Sequence, residues 1–397
     1  MNRSKKPSRS LRWKSRDEAF RKPEAIAAQC PTFSATNPTL FTFEADRGWW
    51  EILEARRITL LVTREYEHAL IALRVHTGKP DISYWPVPHP SGLVADRDRR
   101  CVFLVSTRNP NVLFQLKPVD SFLTREDARQ PRALEGTLVP VRARFLPGCL
   151  YLHDLAWMGT QLYGAAVGMN ALVRLDDQDV KPVWWPRCIE MPTGPAFGRN
   201  LIQLNSVASG GSLDHSFVTA SCDRMGRYRP GHVRFPVDGR GVIFSGRTRE
   251  AVVRGLTRPH SARIHEKQLW VANSGYGEVG VVCGNRFQRA VRLPAWSRGL
   301  CFAQDILFAG YSRVLPRFRQ YAPGVNSRES FCGIVAVELS SGKIIGRLTW
   351  PHGNQIFGID WLPSTVCTGL PLRRNSRSGG EVRRLFYLHR QWRDSRS

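Results

Sequence analysis

The chain has 397 residues, of which 42% are hydrophobic, and its 33 glycines, 26 prolines and 10% aromatic residues favour many short strands joined by tight turns over long helices. Its formal net charge is +25, from 58 Lys and Arg against 33 Asp and Glu, which raises nucleic acid or an anionic surface as a partner. No uninterrupted apolar stretch approaches the roughly 20 residues that a membrane-spanning helix needs, so membrane insertion is not expected.

Nearly half of the net positive charge lies near the two ends of the chain. Residues 1–25 carry nine basic and three acidic side chains, and residues 364–397 carry eight and two. Both stretches are rich in Ser and Arg and lack apolar periodicity, so they cannot bury enough surface to offset the entropy of ordering. We therefore expect largely disordered tails at residues 1–40 and 364–397, flanking one domain at residues 41–363. Nucleic acid would bind through these tails only.

The nine cysteines are scattered singly, with no pair at the C-x-x-C spacing. Their odd number and their spacing argue against a disulfide framework and a zinc knuckle, and are typical of a reducing compartment. The basic N-terminal stretch is not followed by the apolar segment of a secretion signal. We therefore expect a cytoplasmic protein.

Six short segments begin alike, with a small or turn-forming residue followed by a mostly apolar triplet; they lie at residues 92–95, 154–157, 206–209, 261–264, 299–302 and 358–361. Each of the first five is followed by further apolar runs, which in the first repeat lie at residues 102–105, 112–116 and 138–141. The repeating unit is thus four short strands, which is typical of a blade of a β-propeller.

The remaining strands lie at the two ends of the domain. Residues 58–63, 69–75 and 82–87 supply the second, third and fourth strands of a blade that has no first strand before them. The missing strand is available at Phe357 to Trp361, where it would close the first blade and remove its open edges. The sequence therefore predicts an all-β fold, a six-bladed β-propeller with four-stranded blades.

Several strings carry a resemblance to a known family: RGLTRPHS at residues 254–261, LWV at 269–271, HDLAW at 153–157 and CGI at 332–334. They resemble a bacterial family of conserved hypothetical proteins with a domain of unknown function, over about residues 48–363. The resemblance implies the propeller fold and a bacterial source, and it brings no biochemical activity. The chain is more distantly similar to propellers of the strictosidine-synthase and lactonase kind, although their metal-binding carboxylate pattern is not evident.

The inner strands of a propeller line its central channel, and ligands usually bind at the face where the chain enters these strands. The residues just before the six inner strands are Ser91, His153, Asn205, His260, Arg298 and Phe357, with His89, Asn354 and Gln355 close behind. We expect these side chains to form a ring around the mouth of the channel.

This ring has two interpretations. In the functional one, His153 and His260 ligate a metal ion or transfer protons, together with Asp154 where the metal is zinc. Asn205 orients a polar group, and Arg298 binds a carboxylate or phosphate through its planar fork. In the structural one, these side chains bond to the backbone of neighbouring blades and hold the scaffold together. The sequence leaves both open.

Three long connections, at residues 185–204, 222–240 and 311–331, are predicted to reach the same face as the ring. They interleave arginines with aromatic residues, and the arginines expected to bind a ligand there are Arg227, Arg229, Arg313, Arg317 and Arg319. Such a rim attracts anions and stacks on planar groups. The alternative is a solvated loop surface on which arginine is simply the commonest polar residue.

The predicted mouth suggests two functions. The first is a binding module that holds an anionic small molecule, glycan, peptide or protein partner. The alternative is a hydrolase, lactonase or isomerase that uses His153 and His260, with or without a divalent metal ion. The sequence leaves open whether the chain is an enzyme and which cofactor it would use.

Overall fold

The computed structural model describes residues 38–107, 111–123, 126–127, 135–146, 148, 150–175 and 180–373. These residues form six antiparallel sheets, and the innermost strand of each sheet packs against the innermost strands of the two neighbouring sheets. The sheets follow one another in sequence order around a closed ring. The predicted six-bladed β-propeller with four-stranded blades is therefore confirmed. Most of the two predicted tails lies outside the described residues.

The first half of the chain forms an N-terminal segment and three blades. The N-terminal segment consists of a 3-10 helix (Pro38–Phe41), β1 (Glu44–Ala45) and α1 (Arg47–Ala55). Blade 1 follows with β2 (Ile58–Arg64), β3 (Ala69–His76) and β4 (Lys79–Pro86). Blade 2 consists of β5 (Pro90–Asp96), β6 (Cys101–Ser106), β7 (Asn111–Pro118) and β8 (Leu138–Leu146). Blade 3 consists of β9 (Leu152–Met158), β10 (Gln161–Ala166), β11 (Ala171–Leu175) and β12 (Val180–Trp184).

The second half forms the other three blades. Blade 4 consists of β13 (Leu204–Ala208), β14 (Phe217–Ala220), β15 (Gly241–Ser245) and β16 (Ala251–Leu256). Blade 5 consists of β17 (Pro259–His265), β18 (Gln268–Asn273), β19 (Glu278–Cys283) and β20 (Arg286–Arg292). Blade 6 consists of β21 (Trp296–Ala303), β22 (Ile306–Ser312), β23 (Cys332–Glu338) and β24 (Ile344–Trp350), before β25 (Ile359–Pro363) and β26 (Leu372–Arg373). Short 3-10 helices lie at Arg187–Ile189, Ser274–Tyr276 and Pro316–Tyr321.

Blade 1 is completed by the end of the propeller chain. β25 pairs antiparallel with β2, so the last inner strand closes the first blade, as predicted. The sequence predicts this strand at 357–361, whereas β25 begins two residues later. The reason is local, since the backbone N–H of Phe357 donates to the carbonyl of Thr63 at 2.9 Å, ahead of the regular ladder. Beyond β25, β26 pairs with β4 on the outer edge of the same blade.

The N-terminal segment packs on blades 1 and 6. β1 adds a fifth strand to blade 6 by pairing with β24. The carboxylate of Asp46 accepts the backbone N–H of Trp49 at 2.8 Å and so caps the start of α1. Trp49 is fully buried and meets Phe308 edge to face, with ring centroids 5.7 Å apart. None of the helices in the described stretches has the length and apolar character that crossing a lipid bilayer requires.

Hydroxyl groups at the ends of second strands join neighbouring blades. Each donates to a backbone carbonyl at the start of the next inner strand: Thr63 to Ser91 at 2.7 Å, Ser274 to Ser297 at 2.7 Å and Ser312 to Ile356 at 3.2 Å. All of these groups are buried, so each bond satisfies a carbonyl that would otherwise be costly. The bonds hold the starts of the inner strands, and therefore the channel mouth, in a fixed geometry.

A charged pair also crosses the channel. The carboxylate of Asp154 in β9 accepts hydrogen bonds from both terminal nitrogens of Arg263 in β17, at 2.8 and 3.0 Å. It also accepts the backbone N–H of Val207 in β13, at 3.1 Å. Asp154 thereby links three inner strands, those of blades 3, 4 and 5.

Candidate functional site

A cavity of about 420 Å³ lies at the mouth of the central channel. Every blade contributes to its wall, either from the start of its inner strand or from the loop between its second and third strands. Its lining residues include Tyr66 from blade 1, His153 from blade 3, Arg229 from blade 4, Arg258 at the start of blade 5, and Trp296 and Arg298 from blade 6. A cavity of this size suits a small molecule.

The predicted ring is divided by the structure. His153, Arg298 and Phe357 line the cavity. Ser91 and Asn205 instead join blades: the Ser91 hydroxyl donates to the carbonyl of Leu152 at 2.6 Å, and the Asn205 amide donates to that of Pro259 at 3.0 Å. Ser91 and Asn205 therefore bond to the backbone of neighbouring blades, as in the structural interpretation of the ring.

His260 lies directly behind the cavity wall and is only 4% exposed. Its ring centroid is 5.9 Å from that of His153 and 5.3 Å from that of Phe357. Its Nδ1 lies 2.9 Å from the hydroxyl of Ser261. Burial first, and the nearby cation of Arg298 second, hold the pKa of His260 well below its ordinary value. The imidazole is therefore neutral at neutral pH.

The arginines predicted on the long connections occupy different environments. Arg229 is exposed and lines the cavity. Arg317 lies 4.8 Å from the ring centroids of both Tyr66 and Phe318 on the rim. Arg227 and Arg319 are exposed and do not line it.

The remaining predicted residues are Asn354 and Gln355, which lead into the last inner strand, His89, which precedes β5, and Arg313, which follows β22. Gln355 is buried and lines the cavity, and His89 is half-buried beside His68. The guanidinium of Arg313 donates to the carbonyl of Pro351. Asn354 is half-buried, and its backbone N–H donates to a carboxylate oxygen of Glu67 at 2.5 Å. Arg313 and Asn354 thus hold the connection rather than line the cavity.

The sequence analysis missed a second set of lining residues, which lie one position before an inner strand. Tyr151, Gln203 and Arg258 precede β9, β13 and β17, and their φ angles are 48°, 51° and 54°. Positive φ is uncommon for residues other than glycine, and here it recurs at the same position in four consecutive blades, because His89 before β5 has a φ of 42°. The side chains of Tyr151, Gln203 and Arg258 line the cavity, and that of His89 does not. The recurring position was available in the repeat alignment, whereas the backbone conformation was not.

Arg258 is 3% exposed, and neutral groups surround its guanidinium. One terminal nitrogen donates to the side-chain oxygen of Gln203 at 2.8 Å and to the carbonyl of Pro230 at 3.3 Å. The guanidinium carbon lies 3.8 Å from the ring centroid of Tyr321. Burial lowers the pKa of Arg258 to about 10, which still leaves it cationic at neutral pH.

Arg298 is 4% exposed and packs against two rings. Its guanidinium carbon lies 4.7 Å from the ring centroid of Trp296 and 4.1 Å from that of Phe357. Within the described residues, its guanidinium makes no hydrogen bond and no ion pair. Burial lowers the pKa of Arg298 to about 10, although the charge of Glu65 opposes this shift. Arg298 is therefore a buried cation whose N–H groups have no acceptor in this part of the protein.

The described residues offer few side chains that could ligate a metal ion. Across the stretches that the structure describes, no group of three or more His, Cys, Asp and Glu side chains could hold one. Asp154, the third member of the predicted zinc set, is bound by Arg263 instead. The bidentate pair therefore argues against zinc held by His153, His260 and Asp154.

Residues 47–370 match the sequence profile of a family described as a domain of unknown function (DUF4915). The chain belongs to this family. The resemblance noted from the sequence strings is thereby confirmed, since the matched residues span all six blades. The family description names no reaction, so the function of this DUF4915 chain has to be argued from the cavity.

Solved structures similar to the DUF4915 chain are distant. A chain of the nidogen/laminin complex is 9% identical, with a TM-score of 0.49 over 77% of this chain and 98% of that one. A protein of unknown function from Bacteroides caccae is 10% identical, with the same TM-score and coverage. A putative 6-phosphogluconolactonase from Bacteroides fragilis is 11% identical, with a TM-score of 0.41 over 77% and 97%. No curated protein matches the chain. At these values, none of the similarities bears on activity.

Proposed function

We propose that this propeller binds a small anionic molecule in the channel-mouth cavity. The observation that carries the proposal is that two buried guanidinium groups, those of Arg258 and Arg298, line one cavity and neither pairs with a carboxylate in the described stretches. A buried charge without a counter-charge costs several kcal/mol. A bound carboxylate or phosphate would supply the counter-charge through charge-assisted hydrogen bonds.

The depth of the two guanidinium groups favours a small molecule over a glycan, peptide or protein partner. Both groups are at most 4% exposed, so a flat partner surface resting on the rim would not reach them. The exposed Arg199 and Arg229 line the same cavity nearer to solvent. Cations arranged in this way attract an anion to the rim and then hold it at the base.

The test is calorimetric titration of the full chain with a panel of small carboxylates and phosphates. We expect Arg298→Met to weaken the best anion by about tenfold to a hundredfold, the loss typical of a charged hydrogen bond. Arg229→Gln, an exposed change that leaves the core intact, should weaken it less. The matched control is Arg286→Met on β20, where the side chain is exposed and remote from the cavity. Unchanged affinity in Arg298→Met, or no binding by any anion, would contradict the proposal.

A hydrolase, lactonase or isomerase is the second candidate, and one observation favours it. The neutral imidazole of His260 has an Nε2 without a hydrogen-bond partner among the described residues, and it packs against His153, which lines the cavity. A neutral imidazole can accept a proton from a substrate. In a screen of lactones and esters, His153→Gln and His260→Gln should each abolish turnover. Turnover that survives both changes would eliminate this candidate.

A further inference from the structure

Aromatic rings form much of the cavity wall, and three of them make one continuous cluster. Phe318 and Tyr321 stack with ring centroids 5.3 Å apart and an interplanar angle of 23°. Trp296 lies 5.8 Å from Phe318 and 6.2 Å from Tyr321. We call Trp296, Phe318 and Tyr321 the ring cluster; all three residues line the cavity.

The two buried cations adjoin this cluster. The guanidinium of Arg258 lies against Tyr321, and that of Arg298 lies against Trp296. A guanidinium that stacks on a ring through its face keeps its N–H groups in its own plane, available at the edge. A carboxylate that binds at the edge of the guanidinium therefore lies in the guanidinium plane, and the rings fix the orientation of that plane.

This arrangement restricts the shape of the ligand. A flat acid, in which the carboxylate is conjugated with a ring, can place its charge at the guanidinium edge while its ring faces neighbouring aromatic side chains. A sugar acid or other saturated acid would offer hydroxyl groups or puckered methylene groups to the faces of the three rings, which hold no hydrogen-bond partner for a hydroxyl. Its hydroxyl groups would bond only to the polar part of the wall, which includes Gln203, whose side-chain oxygen already accepts from Arg258.

We infer that the anion is a planar aromatic or conjugated acid, with its carboxylate at Arg298 and its ring against the ring cluster. This inference rests on the proposed function, because it assigns a ligand class to the same cavity. It adds that the aromatic wall, and not charge alone, selects the ligand.

The experiment compares three probes by calorimetry on the full chain: benzoate, cyclohexanecarboxylate and benzamide. Benzoate and cyclohexanecarboxylate carry the same charge at similar size, and only benzoate is flat. Benzamide keeps the ring and lacks the charge. We expect benzoate to bind about tenfold more tightly than cyclohexanecarboxylate, the scale of an aromatic contact, and benzamide to bind more weakly than either acid.

The outcomes separate the inference from the proposed function. Equal affinity for benzoate and cyclohexanecarboxylate would overturn the flat-ligand inference and leave anion binding intact. Benzamide binding as tightly as benzoate would overturn anion binding. Failure of all three probes to bind would overturn the flat-ligand inference, while the wider anion panel would still decide the proposed function.

A pair of variants tests the role of the ring cluster directly. Phe318→Leu removes a ring at the half-buried rim and should lower the affinity for benzoate more than the affinity for cyclohexanecarboxylate, so that the preference for benzoate falls. Phe145→Leu is the matched control, since Phe145 is 63% exposed on β8 and does not line the cavity. An unchanged preference in Phe318→Leu would overturn the assigned position of the ring.

Discussion

Two arginines on neighbouring inner strands, the half-buried Arg263 and the buried Arg298, have opposite surroundings. Arg263 in β17 is held by the bidentate carboxylate of Asp154, whereas the guanidinium of Arg298 in β21 packs against two rings and makes no ion pair in the described stretches. Burial lowers the pKa of Arg263, but Asp154 more than offsets this and raises it above its ordinary value. Burial lowers the pKa of Arg298 to about 10, and the charge of Glu65 offsets this shift only in part. The paired arginine joins blades, and the unpaired one faces the cavity.

The paired arginine gives the largest expected effect. Asp154→Asn keeps the shape of the side chain, removes its charge, and breaks the ion pair that holds Arg263 between the blades. We expect the free energy of unfolding to fall by about 3 kcal/mol, as for other broken buried pairs. Urea unfolding followed by tryptophan fluorescence measures this change.

The matched control is a surface ion pair. Asp305→Asn breaks the pair between Asp305 and Arg56, whose side chains are 51% and 33% exposed. Pairs of this kind contribute about 0–1 kcal/mol. If Asp154→Asn cost no more than Asp305→Asn, the pair with Arg263 would not be a structural link, and the contrast with Arg298 would lose its meaning.

A second effect concerns His260, which lies close to both arginines. Their charges, after burial, contribute to a pKa well below the ordinary value of 6.5. Below pH 6.5 the unfolded chain gains a proton on this imidazole and the folded chain does not, so stability falls as the pH falls. The loss is up to about 1.4 kcal/mol per pH unit for one proton.

The measurement is the urea midpoint at pH 7, 6 and 5. His260→Gln should flatten the dependence by up to one proton, whatever its effect on stability at pH 7. His76→Gln, at an exposed position on the end of β3, should leave the dependence as in the unmodified chain. If the urea midpoint changed with pH equally in the unmodified chain, His260→Gln and His76→Gln, His260 would be protonated in the folded state. It could then not act as a neutral acid–base group.

The fold was open to prediction because its evidence is periodic. Strand repeats, and a first blade whose missing strand lies near residue 358, leave few architectures that satisfy every edge. Arg298 and His153 were also open to prediction, since their positions in the repeat place them at the channel mouth. Arg298 lines the cavity, whereas Asn205 joins blades. This difference depends on the direction of each side chain, which the repeat pattern in the sequence does not show.

The rest of the candidate site depends on backbone conformation and on loops. Arg258 lines the cavity from a position with a positive φ, a backbone conformation that residue type does not reveal. On the long connections, the sequence grouped Arg229 with Arg227, yet only Arg229 lines the cavity. These loops have no repeat against which to align them, so the residue that faces inward could not be chosen from the sequence.

The smallest expected effect on stability has the opposite sign to the largest. Arg298→Met removes a buried cation that makes no ion pair within the described residues and replaces it with a flexible apolar side chain that fits between Trp296 and Phe357. We expect the free energy of unfolding to rise by about 1 kcal/mol, while anion binding weakens. The matched change, Arg263→Met, leaves the carboxylate of Asp154 without its arginine partner and should lower the free energy of unfolding instead. If Arg298→Met proved as destabilising as Arg263→Met, Arg298 would belong to the scaffold, and the cavity would lose the feature that most favours an anion.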